Sequence, residues 1–432
     1  MNVQSWGHYP KIKNKVYVFK SLENLQQLLQ KHNKLIPFGN GRSYGDSALS
    51  ENIVCTKKHN LFLDFDPVKG MLHCQSGVLL ADILEFFVPK GWMLKITPGT
   101  KLITLGGAIA SDVHGKNHHI EGCFSESVEE FRIMLPDGEQ RICSRQQNSE
   151  LFLSTCGGMG LTGVILDTKI YLKKINSQYI DQITIKTKNL EETFFAFEKY
   201  KSEPYSVAWI DCLAKEDGMG RCLLMVGKFE NDGNLNYKPK KKINIPFYFP
   251  AFVLNKYTIK AFNFLYYAKV IKKISKQKVD LETFFFPLDS IDNWNRIYGR
   301  KGFTQYQVIL PKNCSYDGLK EILKTIADSG KGSFLAVLKL YGKENANYLS
   351  FPMEGYSLAL DFKIDKDIFK LLDQLDKIAL KHNGRIYLAK DARVSKETFE
   401  QGYPGIKKFR AIRKQIDPEK KFNSHQSDRL EI

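Results

Sequence analysis

The sequence predicts an α+β protein made of two or three packed units. Its 432 residues are too many for one ordinary hydrophobic core. Strand-like and helix-like apolar periods alternate from the first residues, and after residue 175 they give way to longer strands and amphipathic helices. These observations predict a mixed first unit followed by an antiparallel sheet backed by helices.

The first unit is predicted over residues 1–175, a second over 176–383, and a C-terminal return over 384–432. The apolar pattern of the first unit predicts strands at 15–20, 35–38, 61–65 and 71–75, helices at 21–32 and 80–88, and a hairpin at 131–141. The pattern of the second predicts strands at 206–211, 222–229, 304–310, 333–341 and 356–362, and helices at 190–201, 316–328 and 366–382. The return carries its own strand and helix.

Composition excludes several classes of protein. No stretch reaches the roughly 20 apolar residues of a membrane-spanning helix, and no apolar segment follows a basic start, so a cytoplasmic protein is expected. The eight cysteines include no Cys-x-x-Cys pair and indicate reduced thiols. His118 and His119 are adjacent, and no carboxylate lies at ligand spacing from them or from His114, so no metal site is expected.

The net charge of +17 is concentrated in residues 238–279, which we term the basic aromatic insertion. This segment is predicted to interrupt the sheet of the second unit as a long insertion. It contains eleven lysines, no acidic residue, and the aromatic runs FYFPAF at 247–252 and FNFLYY at 262–267. Lysines with aromatic rings are typical of proteins at an anionic membrane surface, which predicts a peripheral position at the inner membrane face. The alternative is a partly disordered, solvated loop. No nucleic-acid motif accompanies the lysines, so no nucleic-acid partner is expected.

Two glycine-rich loops carry the strongest chemical signal. The first loop, FGNGRSYGDS from Phe38 to Ser47, follows an apolar strand, and its glycines allow backbone amides to converge on an anion. Taken alone, this loop favours an ordinary turn, because Gly, Asn, Ser and Asp are common turn formers.

The second loop, Pro98 to Gly115, is more informative. Thr104 is placed to cap a short helix of small residues, and the N-terminus of such a helix favours a pyrophosphate. A third cluster, CGGMGLTGV at 156–164, leads into a strand. None of the three clusters has the spacing of a Walker A or Rossmann motif.

These motifs together resemble the decaprenylphosphoryl-β-D-ribose 2′-oxidase subfamily of the vanillyl-alcohol oxidase superfamily, which contains FAD-linked oxidases. The resemblance spans nearly the whole chain, and HGKNHH at 114–119 and IYLAKDAR at 386–393 are its specific motifs. The other matching segments are GRSYGD at 41–46, TPGT at 97–100, GGAIASDV at 106–113, GGMGLTG at 157–163, YSVAWID at 205–211, FFPLDSIDNWNRIYG at 285–299, QYQ at 305–307, SFLAVLK at 333–339 and DPEKKF at 417–422.

The resemblance implies a two-subdomain FAD-binding domain of the vanillyl-alcohol oxidase type, completed by the C-terminal return, and an antiparallel-sheet substrate domain over the isoalloxazine ring. Many relatives attach FAD covalently through a histidine where this chain has Arg42, so non-covalent FAD is expected. The residues implied to contact FAD are Pro37, Phe38, Gly39, Asn40, Gly41, Arg42, Ser43, Tyr44, Gly45, Asp46, Ser47, Gly99, Thr104, Leu105, Gly106, Gly107, Ser111, Asp112, Val113, His114, Val164 and Tyr387.

Strand alternation identifies two lysines as further candidates. Lys339 ends an apolar row that begins at Leu335, and Lys390 ends a row that begins at Ile386. Either lysine alone fits a side chain that reaches solvent from a strand end. Two such lysines, with Lys116 beside the second loop, favour a buried site for an anion.

The resemblance places these three lysines near the flavin or the substrate. We expect Lys390 to stabilise the negative charge of the reduced flavin. Lys339 and Lys116, with Gln307 and Tyr44, are expected to orient the sugar hydroxyls or to bind a phosphate. The sequence does not identify the base that accepts the hydroxyl proton.

The activity implied by the resemblance is FAD-dependent oxidation of the 2′-hydroxyl of a polyprenyl-phosphate-linked ribose to a 2′-keto sugar. This would be the first half of an epimerisation to arabinose, completed by a short-chain reductase that acts on the keto product. One alternative is a soluble sugar-alcohol or aldonolactone oxidase, in which the basic aromatic insertion has no role. The other is a non-catalytic peripheral membrane binder, which predicts a colourless protein.

Overall fold

The computed structural model describes residues 2–240, 242–250 and 252–432, so Lys241, one of the lysines of the basic aromatic insertion, lies outside the described residues. Its α-helices are α1 (Leu22–Lys31), α2 (Leu80–Phe87), α3 (Leu105–Ala110), α4 (His118–Glu121), α5 (Ser149–Thr155), α6 (Leu190–Lys199), α7 (Lys256–Ala268), α8 (Leu281–Phe285), α9 (Ser315–Ser329), α10 (Ile368–Lys381), α11 (Lys396–Gly402), α12 (Ile406–Ile416) and α13 (His425–Leu430).

The strands follow the same numbering in chain order. They are β1 (Lys15–Val18), β2 (Ile36–Phe38), β3 (Asn52–Cys55), β4 (Phe62–Asp66), β5 (Met71–Gln75), β6 (Trp92–Leu94), β7 (Val128–Met134), β8 (Gln140–Ser144), β9 (Val164–Lys174), β10 (Tyr179–Thr187), β11 (Tyr205–Ile210), β12 (Cys222–Phe229), β13 (Ile243–Asn244), β14 (Ile274–Asp280), β15 (Ile291–Asp292), β16 (Phe303–Pro311), β17 (Ala336–Tyr341), β18 (Gly355–Lys363) and β19 (Arg385–Ile386).

Two sheets form before residue 175. Strands β1, β3 and β2 pair in that order as a small parallel sheet. Strands β4, β5, β9, β7 and β8 pair in that order as an antiparallel sheet, and β6 adds to β9. A buried apolar cluster that includes Leu84, Phe131 and Phe152 packs between this sheet and helices α2 and α5.

The later part of the chain forms one large antiparallel sheet in the order β14, β10, β12, β11, β17, β18, β16, β19. Helices α9 and α10 cover it with buried apolar rows, led by Ile322 on α9 and Leu375 on α10. Fully burying such a side chain contributes roughly 1.5–3 kcal/mol. The α+β fold class is therefore confirmed. The sheets change between β9 and β10, near residue 175, while the domain boundaries themselves stay predictions.

Parts of the basic aromatic insertion belong to the large sheet or pack against it. Its last part is β14, which pairs with β10 as an edge strand of the large sheet. Helix α7 docks on the sheet through Asn263, whose Nδ2 donates to Asp211 Oδ1 at 2.8 Å, and through the buried Ile259. The expectation of an insertion that only interrupts the sheet is corrected for this reason.

No helix in residues 2–240, 242–250 or 252–432 combines the length and the apolar character that crossing a membrane requires.

Candidate functional site

A cavity opens where the two glycine-rich loops meet the large sheet. Its walls come from the first loop after β2, from the second loop with α3, from strands β16, β17 and β18, and from the turn after β19. The predicted cofactor contacts that line it are Pro37, Phe38, Gly39, Asn40, Gly41, Arg42, Ser43, Tyr44, Gly45, Ser47, Gly99, Thr104, Gly106, Gly107, Ser111, Val113, His114 and Tyr387. We term it the flavin cavity, after the cofactor that the sequence resemblance implies.

Four predicted cofactor contacts lie behind its walls. Leu105 and Val164 are core side chains with no exposed surface. Asp112 accepts hydrogen bonds from Ser350 Oγ at 2.6 Å and from the amide of Asn347 at 2.8 Å. These contacts brace the second loop rather than face the cavity.

The fourth of these residues, Asp46, ties the first loop to the C-terminal return. Arg429 on α13 donates to Asp46 Oδ1 at 2.9 Å and to Asp391 Oδ2 at 2.8 Å. Both carboxylates are buried, and one guanidinium satisfies both. The return therefore closes over the first loop through an ion-pair network.

The glycines of the first loop are required by close backbone approach. A Cβ on Gly45 would lie 1.6 Å from the carbonyl oxygen of Asp391, and a Cβ on Gly39 would lie 2.1 Å from Thr104 Oγ1. Within the described residues, the amides of residues 40–43 donate to no protein acceptor. The loop therefore presents free backbone donors to the cavity, which is the geometry of an anion cradle.

Further polar groups in and beside the second loop have no protein partner among the described residues. Thr104 caps α3, with its Oγ1 accepting from the amide of Gly107 at 3.2 Å. Ser76 Oγ and His114 Nδ1 are buried in the cavity wall without a hydrogen-bond partner among the described residues. An unpaired buried polar group lowers the stability of the folded protein by about 1–3 kcal/mol. A bound ligand that forms hydrogen bonds with these two atoms would remove this cost.

Lys390 and Lys339 both line the cavity. The Nζ of Lys390 lies 3.6 Å from the ring centroid of Tyr44. Burial lowers the pKa of Lys390 to about 7 and that of Lys339 to about 8. Both charges are therefore sensitive to what fills the cavity.

The strand argument for Lys390 is wrong. β19 ends at Ile386, and residues 388–390 form a turn in which the amide of Lys390 donates to the carbonyl of Tyr387 at 3.0 Å. The amide of Tyr44 donates to the carbonyl of Ala389 at 3.0 Å, which joins the first loop to this turn. For β17 the alternation is present: Lys339 and Val337 both line the cavity, whereas Leu335 precedes the strand.

Lys116 lies outside the cavity lining. Its Nζ donates to the carbonyl of Phe284 and lies 4.5 Å from the centroid of that ring. Burial, together with the charge of Lys339, lowers the pKa of Lys116 to about 7. The structure therefore gives Lys116 no contact with the cavity.

Gln307 lies in the cavity wall on β16. Its Nε2 is 3.2 Å from His114 Nε2 and 3.4 Å from the hydroxyl of Tyr341. Burial holds the pKa of His114 well below its usual value, so this imidazole is neutral. A neutral Nε2 accepts from the amide, which leaves the proton on Nδ1, the atom that has no partner.

Two carboxylates at the site were not predicted from the sequence. Asp289 lines the cavity and accepts from Thr100 Oγ1 at 2.7 Å, and its charge raises the pKa of Arg42 against the burial that lowers it. Asp361 lies behind Gln305, whose Nε2 donates to its Oδ1 at 2.6 Å. A charged residue inside an apolar strand pattern is a signal that could have identified Asp361.

Two family models match separate parts of the chain, one in the first unit and one near the C-terminus. A model described as FAD binding domain matches residues 16–144, and one described as D-arabinono-1,4-lactone oxidase matches residues 348–430. Decaprenylphosphoryl-beta-D-ribose oxidase of Mycolicibacterium smegmatis is 34% identical over 92% of this chain and 89% of its own. L-gulonolactone oxidase of Scyliorhinus torazame is 27% identical over 35% of each chain.

A third relative, an uncharacterized protein encoded in the mprA 5′ region of Streptomyces coelicolor, is 26% identical over 82% of this chain and its own whole length.

The cavity fits FAD. The amides of the first loop that bond to no described residue can donate hydrogen bonds to a phosphate. The buried atoms Ser76 Oγ and His114 Nδ1, which also lack a partner among the described residues, can bond to polar atoms of the cofactor. The predictions of FAD as cofactor and of an FAD-dependent oxidoreductase are thus confirmed. The chain belongs to the decaprenylphosphoryl-β-D-ribose oxidase family, within the FAD-linked oxidases of the vanillyl-alcohol oxidase superfamily.

Proposed function

We propose that this chain oxidises the 2′-hydroxyl of a polyprenyl-phosphate-linked ribose to the 2′-keto sugar, the first half of an epimerisation to arabinose. The observation that carries the proposal is the pair of lysines, Lys339 and Lys390, in the wall of the flavin cavity. Cationic groups in a buried site suit a phosphorylated sugar, and the Mycolicibacterium relative is named for such a substrate.

FAD is held without a covalent bond in this proposal, by the cavity-lining residues of the two loops and by Tyr387. Arg42 occupies the place of the attaching histidine, and its guanidinium lies 4.1 Å from the ring centroid of Trp6. A guanidinium keeps its proton and its positive charge, so it is not a nucleophile toward the flavin. When bound, FAD supplies the acceptor for the hydride that leaves the sugar carbon.

Lys390 supplies the fixed positive charge of the site. Its ammonium lies against the face of Tyr44, which orients it toward one side of the cavity. A charge fixed in a site of low dielectric stabilises developing negative charge far more than one in water does. We therefore assign Lys390 the stabilisation of the reduced state.

Lys339, Gln307 and Tyr44 are assigned to the substrate. All three line the cavity, and Gln307 is held by its contact with His114 at 3.2 Å. They orient the sugar hydroxyls or pair with the phosphate. Lys116 lies outside the lining and contributes its charge from behind the wall.

A ketone at C2′ must be reduced from the opposite face to give the arabinose configuration. A short-chain reductase that acts on the keto product is therefore the partner we infer for this enzyme.

The basic aromatic insertion is proposed to contact an anionic membrane surface at the inner face of the cytoplasmic membrane. Phe252 is 76% exposed, Tyr257 71% and Leu265 66%. Helix α7 and the segment just before it therefore carry large apolar side chains that are exposed to solvent. Lys260 lies on the same helix and makes no ion pair among the described residues. Exposed aromatic and basic groups on one surface suit the headgroup region, where a lipid-linked substrate would be found.

An aldonolactone oxidase is a second candidate, favoured by the match of residues 348–430 to D-arabinono-1,4-lactone oxidase. That function requires only a soluble substrate. It predicts turnover of free lactones or sugars and no effect of changes in the insertion.

Anaerobic bleaching of the bound flavin separates the two candidates. Polyprenyl-phosphoryl ribose is expected to bleach the flavin, whereas free ribose, arabinose and aldonolactones at the same concentration are expected to leave it oxidised. Bleaching by the free compounds alone would overturn the proposal. A purified protein without bound flavin would instead support the non-catalytic membrane binder.

A further inference from the structure

Asp361 is a buried carboxylate next to the site, on β18, with 2% of its surface exposed. Gln305, which lines the flavin cavity, donates from Nε2 to Asp361 Oδ1 at 2.6 Å. The hydroxyl of Tyr298 donates to Oδ2 at 3.4 Å. Both donors are neutral, so a charged Asp361 needs a cation nearby to offset its loss of hydration.

Lys390 is that cation. It lines the same cavity as Gln305, the hydrogen-bond partner of Asp361, and makes no ion pair within the described residues. The negative charge of Asp361 raises the pKa of Lys390 against the burial that lowers it. Burial in turn raises the pKa of Asp361 to about 7. Because the two groups attract each other in a low-dielectric region, the protonation of each depends on the other.

A second cavity borders Asp361 on a surface that the flavin cavity does not share. Tyr298, Lys331 and Lys363 also line it. Lys331 Nζ is paired with Asp365 Oδ2 at 2.7 Å, and Lys363 Nζ donates to the carbonyl of Leu254 at 2.6 Å. Lys331 and Lys363 are thus bonded to other groups, and Lys256, which also lines this cavity, has its Nζ 4.9 Å from the ring centroid of Tyr257.

Three other titratable groups face the pair. Lys339 on β17 lowers the pKa of Lys390 by repulsion. Burial holds His114 neutral and raises the pKa of Tyr44, so neither changes charge near neutral pH. Asp361 and Lys339 are therefore the groups whose charges govern Lys390 in that range.

We propose that Asp361 is a positioning residue whose carboxylate keeps Lys390 protonated and fixes Gln305 in the wall of the flavin cavity. It acts through these two side chains and from outside the cavity. The inference rests on the proposed role of Lys390 and names the group that sets the charge of that lysine.

The test is the pH dependence of the flavin midpoint potential in the holoenzyme. Protonation of Lys390 favours the reduced flavin, so the potential changes slope where this lysine titrates. In Asp361→Asn, Lys390 loses its attracting partner and the break is expected to move down by about one pH unit. A loss of packing alone would displace the whole curve without moving the break.

Asp376→Asn is the matched control. Asp376 is also a buried carboxylate, but it pairs with Arg393 at 2.7 Å, outside the cavity. Its loss is expected to lower the melting temperature and to leave the break unchanged. Asp361→Glu retains the charge and is expected to keep the break near its wild-type position.

Tyr298→Phe provides a second measurement if Asp361→Asn does not fold. It removes one hydrogen bond that lowers the pKa of Asp361, so the carboxylate loses charge near neutral pH and the break moves down by a smaller amount. An unmoved break in both Asp361→Asn and Tyr298→Phe, or in the single one that folds, overturns the inference.

Lys390→Met separates this inference from the proposed function. If its potential shows the same break as the wild type, the role assigned to Lys390 fails. If the break disappears in Lys390→Met but stays in place in Asp361→Asn, only the role of Asp361 fails.

Discussion

The flavin cavity and the basic aromatic insertion are both rich in lysine, yet their charges are held in opposite ways. In the cavity, Lys339 and Lys390 are half-buried, and desolvation lowers their pKa values to about 8 and about 7. In the insertion, Lys260, Lys272 and Lys276 are exposed and make no ion pair among the described residues. Single charges therefore matter in the cavity, whereas only the sum of many screened charges matters in the insertion.

The largest effect is expected from Gly45→Ala. The added Cβ would lie 1.6 Å from the carbonyl oxygen of Asp391, so the first loop must leave the C-terminal return. We expect a protein without bound flavin, measured as visible absorbance relative to protein. Gly218→Ala is the control, because its Cβ would meet only Ala214 at 3.9 Å. Full flavin content in Gly45→Ala would show that the cavity does not depend on this contact.

Lys390→Met should slow flavin reduction by about a hundredfold, because one fixed charge aimed at the developing anion is lost. The measurement is single-turnover stopped flow with polyprenyl-phosphoryl ribose under anaerobic conditions. Lys324→Met, which removes an exposed lysine paired with Asp328 at 2.9 Å, is the matched control. Equal rates in the two variants would contradict the difference between half-buried and exposed lysines.

The KM for the lipid-phosphate substrate should rise as the pH increases through about 7 to about 8. Burial lowers the pKa of Lys390 and Lys339 to about 7 and about 8, so both lose their positive charge in this window and attract an anion less. An exposed lysine would hold its charge to far higher pH. Lys339→Met should flatten the upper part of the profile, and an unchanged profile in this variant would argue against a role of Lys339 in binding.

The smallest effect per residue is expected in the insertion. Changing Lys260, Lys272 and Lys276 to Gln should weaken binding to vesicles with anionic lipid by about 1 kcal/mol per lysine at low salt, and by less at high salt. Cosedimentation measures it. The exposed lysines Lys320, Lys370 and Lys377 on α9 and α10 form the control set, whose replacement should have no effect.

Local sequence pattern predicts most of the elements, because apolar period and turn chemistry act over a few residues. β5 and β12 lie within the predicted bounds, and α9 exceeds its prediction by one residue at each end. Lys390 is the instructive failure: the alternation predicts a strand, but the chain forms a turn at 388–390, where the amide of Tyr44 donates to the carbonyl of Ala389. That contact joins positions far apart in sequence, which no local pattern contains.

The difference between local pattern and long-range contact also explains which site residues the sequence predicts. The glycine loops follow from motif and turn chemistry, and the cavity brings most of the resemblance-derived residues together. The pairings of Asp361 with Gln305 and of Asp289 with Thr100 depend on the packing of separate elements. Sequence reasoning therefore names the walls of the cavity more readily than the groups behind them.

The bridge from Arg429 to Asp46 and Asp391 has a consequence for the order of events during synthesis. Arg429 follows Asp46 by 383 positions, so the first loop leaves the ribosome long before the residue that clamps it. The first loop can therefore be clamped only after α13 has been made, and a nascent chain stalled before α13 is expected to hold both glycine-rich loops but to retain flavin poorly.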